Sequence, residues 1–173
     1  MHDKDYEYST ERLLVNEWHS MSSDDWHQQE LAVVVKNILS PEVTQSLPPA
    51  WQGNYTHERA SHWIKERDEE GTTLLVIEKS TRTAIGFIIL FNSADERDIR
   101  LGYLLAESAW GKGIASELIR GFVGCCKKNA ISSVTGGVES DNAASKRVLE
   151  KNGFVAEHHS DNKSEQMFFL RIR

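Results

Sequence analysis

The stretch that most limits what this chain can fold into runs from Ile99 to Asn129. An apolar segment, Ile99-Arg100-Leu101-Gly102-Tyr103-Leu104-Leu105, leads into Trp110-Gly111-Lys112-Gly113-Ile114-Ala115. Beyond the glycines, Ile114, Leu118, Ile119, Phe122 and Cys126 recur at three- and four-residue spacing and so share one helical face, with Glu117, Arg120 and Lys127 off it. The pattern is strand, glycine loop, helix. Gly111, Gly113 and Ala115 are small where the backbone must turn and approach a ligand. The amides from Gly111 to Ala115 can therefore converge on an anion at the helix start, with Lys112 beside them. A Walker loop is excluded, because Gly113 follows Lys112 where a magnesium-holding Ser or Thr is needed. A dinucleotide fingerprint fits poorly, with Ser116 in place of the third glycine.

A phosphate cradle in this chain must act locally. The 173 residues carry a net charge of −6 with a pI near 5.6, which argues against a general nucleic-acid binder. With 39% hydrophobic and 27% charged residues, one globular domain spanning 1–173 is expected. No run reaches the roughly 18 apolar residues of a membrane span, and the chain reads as cytoplasmic. Cys125 and Cys126 are adjacent on the predicted helix and poorly placed to bridge each other. No metal site is expected: His57 and His62 are five apart, about 140° around a helix, and His158-His159 has no visible partner ligands. Asn54-Tyr55-Thr56 and Asn162-Lys163-Ser164 read as chance glycosylation matches.

A second motif, Glu139-Ser140-Asp141-Asn142-Ala143-Ala144-Ser145-Lys146-Arg147-Val148-Leu149-Glu150-Lys151-Asn152-Gly153-Phe154, follows the cradle. Together with Gly102-Tyr103-Leu104-Leu105 and the glycine loop, it resembles the GNAT superfamily of acetyl-CoA-dependent N-acetyltransferases. Within that superfamily it is similar to the Rim-type ribosomal-protein N-terminal acetyltransferases. The resemblance runs from Thr10-Glu11-Arg12-Leu13 through Ser40-Pro41-Glu42-Val43 to Asn152-Gly153-Phe154. It implies an α+β fold with a mixed, largely antiparallel central sheet and helices on both faces.

The local patterns predict the elements of such a fold. Leu13-Leu14-Val15 is a first strand, and Ser22-Ser23-Asp24-Asp25 offers caps for a helix carrying Leu31, Val34, Val35, Ile38 and Leu39. Ser40-Pro41 ends that helix. A second helix spans about Thr56 to Asp68, with Ala60, Trp63 and Ile64 on one side. Leu74–Ile77 and Ala84–Phe91 form a hairpin. After the cradle helix comes a strand, Ser133–Val138, with a weakening double glycine. A helix capped by Asp141 or Asn142 then ends at Asn152-Gly153, before two closing strands at Val155–His158 and Met167–Ile172.

The resemblance also distributes roles. The pyrophosphate of acetyl-CoA goes to Gly111, Lys112, Gly113, Ile114 and Ala115, and its pantetheine arm to the exposed edge at Leu104 and Leu105. Trp110 stands where the usual loop opens with Arg or Gln, and is expected to pack there as a buried side chain. Asn142 and Ser145 share a helical face toward the thioester, with the Ser145 hydroxyl a weak acid for the leaving sulfur. Trp51 and Tyr55 are expected to line the acceptor cleft, and Trp63 to lie in the core. Many relatives carry a glutamate where this chain has Arg100, which cannot serve as a base. Glu139 becomes the expected carboxylate, acting through water, with Glu96 behind it. Arg100 is expected to pair with Glu139 or to hold an acidic group on the acceptor. The acceptor is a primary amine, foremost a protein or peptide α-amino group. A small-molecule amine such as an antibiotic or polyamine is the substrate alternative, and a non-catalytic acetyl-CoA sensor the alternative class. The chain is expected to act as a monomer or homodimer.

Overall fold

A computed structural model describes residues 4–157 and 165–173. Its strands are β1 (Tyr8–Ser9), β2 (Leu13–Glu17), β3 (Gly71–Glu78), β4 (Thr83–Phe91), β5 (Asp98–Leu105), β6 (Ser133–Glu139), β7 (Val155–Ala156) and β8 (Glu165–Arg171). They form one sheet in the order β1-β2-β3-β4-β5-β6-β8-β7, antiparallel everywhere except between β5 and β6. The helices are α1 (Leu31–Ile38), α2 (Pro41–Thr44), α3 (His57–Glu70), α4 (Ile114–Lys128) and α5 (Ala143–Lys151). The paired histidines at 158 and 159 and the Asn162-Lys163-Ser164 match fall outside the described residues. Among those described, no helix is long and apolar enough to cross a membrane.

Both faces of the sheet are covered, which explains why β3 and β4 are apolar without interruption. Leu74, Val76, Ile88 and Leu90 pack with Ile114, Leu118, Ile119, Phe122 and Cys126 of α4 and Leu149 of α5. Their neighbours in sequence, Leu75, Ile77, Phe87 and Ile89, turn the other way onto Val34, Val35 and Ile38 of α1 and Ala60 and Trp63 of α3. The hairpin, the cradle helix and the expected core Trp63 are all present.

Several local details differ from expectation. Ser22–Asp25 form a turn in which the Asp25 amide bonds the Ser22 carbonyl, and α1 begins six residues after it with Glu30 as an uncapped start. That helix ends at Ile38. Ser40 instead caps the one-turn α2, its hydroxyl accepting from the Val43 amide with Pro41 in the first turn. The two-residue β1 precedes the expected first strand. Cys125 and Cys126 are free and buried, and burial pushes their thiols up to about 11 and about 12.

The pairing of β5 with β6 positions the site. Their register covers only Asp98↔Ser133 to Leu101↔Gly136, although β5 continues to Leu105 and β6 to Glu139. Past that point the two strands part. Among the described residues, the edge of β5 from Gly102 onward has no strand on that side, a break in the sheet beside the double glycine.

Candidate active site

The glycine loop opens α4 as its periodicity requires. Gly111 and Gly113 have φ of +72° and +75°, a left-handed region that side-chain-bearing residues rarely adopt, and Gly113 is the N-cap. The first amides of α4 are consequently unmatched by intrahelical partners and face an open groove. That groove, about 640 Å3, is lined by Leu104, Leu105, Gly111, Gly113, Ile114 and Ala115 of the expected set, with Asn142 and Ser145 at one end. Lys112 does not line it; its carbonyl accepts a hydrogen bond from Arg12 Nη1 at 2.9 Å. Trp110 is 44% exposed instead of buried, and its indole N–H donates to the Leu105 carbonyl at 3.0 Å. The β5 edge is thereby already satisfied at Leu105 O.

Where β5 and β6 part lies a second, smaller cavity of about 160 Å3. Trp51, Phe91, Arg100, Glu139 and Glu165 contribute to its wall. It shares Ser46, Leu47, Tyr103, Leu104, Asn142 and Ser145 with the groove, so the two spaces meet at the start of α5. Asn142 is the N-cap there, its side-chain oxygen accepting from the Ser145 amide at 3.2 Å. The Asn142 carboxamide is thus occupied in holding the helix start. At the same junction the Tyr103 hydroxyl is buried and has no partner in hydrogen-bond geometry. Burial raises its pKa, with the adjacent Ser145 hydroxyl acting in the opposite sense.

Glu139 and Glu165 are directly opposite each other across β6 and β8. Burial first, then the charges of Glu165 and Asp141, raise the Glu139 carboxyl above its ordinary range. Glu165 folds over Gly137, where a Cβ would stand 1.8 Å from its Oε1; that close approach requires the glycine. Arg100 ion-pairs with Glu165 at 3.9 Å, in place of the expected Glu139, and lies 5.8 Å over the Phe91 ring. Glu96 is not part of this cavity; it borders a separate surface depression with Lys4, Asp5 and Asp98.

Of the two expected aromatic cleft residues, Trp51 lines the cavity and Tyr55 does not. Tyr55 is buried behind it, donating its hydroxyl to the Trp51 carbonyl at 2.9 Å under the Arg59 guanidinium. Trp51 is further held by Arg67, whose guanidinium carbon sits 4.4 Å from its ring centre, and by the edge of Trp63. Sequence reasoning missed Tyr103, Phe91 and Glu165 as wall residues. For Tyr103 the signal was its place in Gly102-Tyr103-Leu104-Leu105; Glu165 joins only through pairing with a distant strand. Among the described residues, no group of three His, Cys, Asp or Glu stands close enough to hold a metal ion.

Comparisons with known proteins identify the family and the fold. Residues 23–155 match the model of the acetyltransferase (GNAT) domain. The fold is similar to that of a GNAT-family acetyltransferase from Bacillus anthracis, at 20% identity over 93% of this chain and 94% of that chain, with a TM-score of 0.70. It is similar to RimL, a ribosomal L7/L12 alpha-N-protein acetyltransferase solved with coenzyme A, at 17% identity over 98% of both chains, with a TM-score of 0.72. It also resembles spermidine N-acetyltransferase from Vibrio cholerae, solved with CoA and spermine, at 14% identity over 94% of this chain and 97% of that chain, with a TM-score of 0.69. At these identities the structures speak to the fold alone. No curated protein matches the sequence significantly. The domain match spans most of the chain, from α1 through α5, and the chain therefore belongs to the GNAT family of acetyltransferases.

Proposed function

We propose that this N-acetyltransferase moves the acetyl group of acetyl-CoA to a single primary amine at the end of a peptide or protein chain. The observation that carries the reading is the junction: a long groove and a short cavity share Tyr103, Leu104, Asn142 and Ser145. A donor lying in one meets an acceptor entering the other at those residues. The groove fits the coenzyme, with helix-start amides at Gly113 to Ala115 for its phosphates and, for its amide-bearing arm, the β5 edge beyond its pairing with β6, where the Trp110 indole takes only the Leu105 carbonyl. Bound there, acetyl-CoA supplies an activated acyl group.

The chain's own residues then divide the proton work. Glu139 takes the proton that the amine loses as its nitrogen bonds the acetyl carbon, directly or through one water. Its raised pKa makes it a better base than an ordinary glutamate. The Ser145 hydroxyl donates to the sulfur as the carbon–sulfur bond breaks. The buried Tyr103 hydroxyl stands beside it as a second donor. Binding acetyl-CoA alone would not call for a carboxylate pair in the wall of the adjoining cavity.

Arg100 pairs with Glu165 and leaves Glu139 to face one ammonium, which favours a singly charged amine over a polyamine, and an acidic neighbour of that amine would compete with Glu165 for the guanidinium. Release of free CoA from acetyl-CoA tests this with three acceptors: a peptide with a free N-terminus, the same peptide N-formylated, and spermidine. Release with the free peptide alone is expected. Faster release with spermidine, or release independent of any amine, would contradict the reading.

A further inference from the structure

The glycine loop is tied from behind by a segment far away in sequence. Three alternate side chains of the N-terminal segment reach α4: the Tyr8 hydroxyl donates to the Leu118 carbonyl at 2.8 Å, the Thr10 hydroxyl donates to Glu117, and Arg12 Nε donates to Glu117 Oε1 at 2.7 Å. The Arg12 amide adds a bond to Glu117 Oε2 at 2.9 Å. The other arm of the same guanidinium reaches past the helix, Nη1 donating to the Lys112 carbonyl at 2.9 Å. Its Nη2 lies 3.7 Å from where a Gly113 Cβ would stand. Gly121 belongs to this arrangement, because a Cβ there would approach the Tyr8 ring to 2.5 Å. Burial alone would raise the Glu117 carboxyl, but the Thr10 hydroxyl and the Arg12 amide and guanidinium outweigh it and hold Glu117 ionised below the usual range.

We infer that Arg12 is a positioning residue for the pyrophosphate loop, acting through Glu117 and the Lys112 carbonyl. A loop with two glycines at positive φ is free to sample many shapes, and its amides converge on an anion in few of them. One planar guanidinium that bonds the loop carbonyl and the first turn of α4 together holds the amides in place before the ligand arrives. Lys112, set beside the cradle by sequence, serves here through its backbone, as the point at which the loop is fastened.

The inference rests on the coenzyme groove, and the experiment separates the two. Wild type and Arg12→Met are titrated by calorimetry with CoA and, at millimolar concentration, with pantetheine, which has the same arm without the phosphate-linked nucleotide. Arg12→Met is expected to weaken CoA roughly tenfold and leave pantetheine unchanged. A general loss of structure would weaken both alike, and that result, or unchanged CoA affinity, would overturn the inference. Glu117→Gln keeps the side-chain shape while loosening the guanidinium. It should show the same selective loss to a smaller degree, and it carries the test if Arg12→Met does not fold. Arg12→Lys retains the charge without the planar fork and should stay weakened; full affinity there would assign the effect to charge alone and overturn the brace. A wild type that binds no CoA would overturn the groove itself.

Discussion

The groove and the cavity are built in different ways. One wall of the groove is local in sequence, with two glycines, the first turn of α4 and the end of β5 in one continuous stretch, and the facing wall comes from Val43, Ser46 and Leu47 and from α5. The cavity is mostly side chains brought from five separate places, with Trp51 before α3, Phe91 on β4, Arg100 on β5, Glu139 on β6 and Glu165 on β8. A backbone cradle accepts the same phosphates whatever surrounds it, whereas a side-chain wall can be changed one residue at a time without moving the sheet. The construction matches one constant donor and an acceptor particular to each enzyme.

Mutations on the two sides should separate cleanly. The largest effect is expected for Gly113→Glu, which places a side chain at φ +75° and a negative charge at the cradle. Coenzyme affinity by calorimetry should fall by roughly a hundredfold, corresponding to about 2.7 kcal/mol. Next is Arg100→Glu: turnover of a peptide with an acidic residue beside its amine should fall roughly tenfold, and that of a neutral peptide should rise. Trp51→Ala should raise the acceptor KM several-fold while leaving the acetyl-CoA KM as it was, a split that steady-state kinetics in both substrates reads directly. Smallest are the junction hydroxyls. Ser145→Ala and Tyr103→Phe should each lower kcat a few-fold with little change in acetyl-CoA binding. Tyr103→Phe should also change the melting temperature little, since the buried hydroxyl it removes makes no well-formed hydrogen bond.

The same contrast explains what could be read in advance. The spacing of Ile114, Leu118, Ile119, Phe122 and Cys126 foretold α4, and Gly111 and Gly113 foretold the turn that opens it, because helix period and glycine conformation are local properties. The apolar runs Leu74–Ile77 and Ala84–Phe91 foretold the hairpin of β3 and β4. The two-residue β1 and one-turn α2 were not foreseen, since elements so short exist through tertiary partners, Val15 and Leu14 for β1. Tyr55 and Trp110 were placed wrongly for a related reason. An aromatic beside a loop has no local signal of which way it faces: Tyr55 turned inward to the Trp51 carbonyl and Trp110 stayed half in solvent. Glu165 escaped notice because its nearness to Glu139 depends on the register of β6 and β8, two strands far apart in sequence.

The claim that the junction performs proton transfer is tested most directly by the pH dependence of turnover in wild type and Glu139→Gln, both substrates saturating. A base must be ionised, so wild-type activity should fall as pH drops through the Glu139 pKa. Burial and the neighbouring Glu165 place that pKa above the ordinary glutamate range. The sign is checked by Glu165→Gln, which removes a neighbouring negative charge and should move the acid limb to lower pH. In Glu139→Gln the predicted profile is low and without this limb. A Glu139→Gln enzyme that keeps both the wild-type rate and the wild-type acid limb would contradict the account.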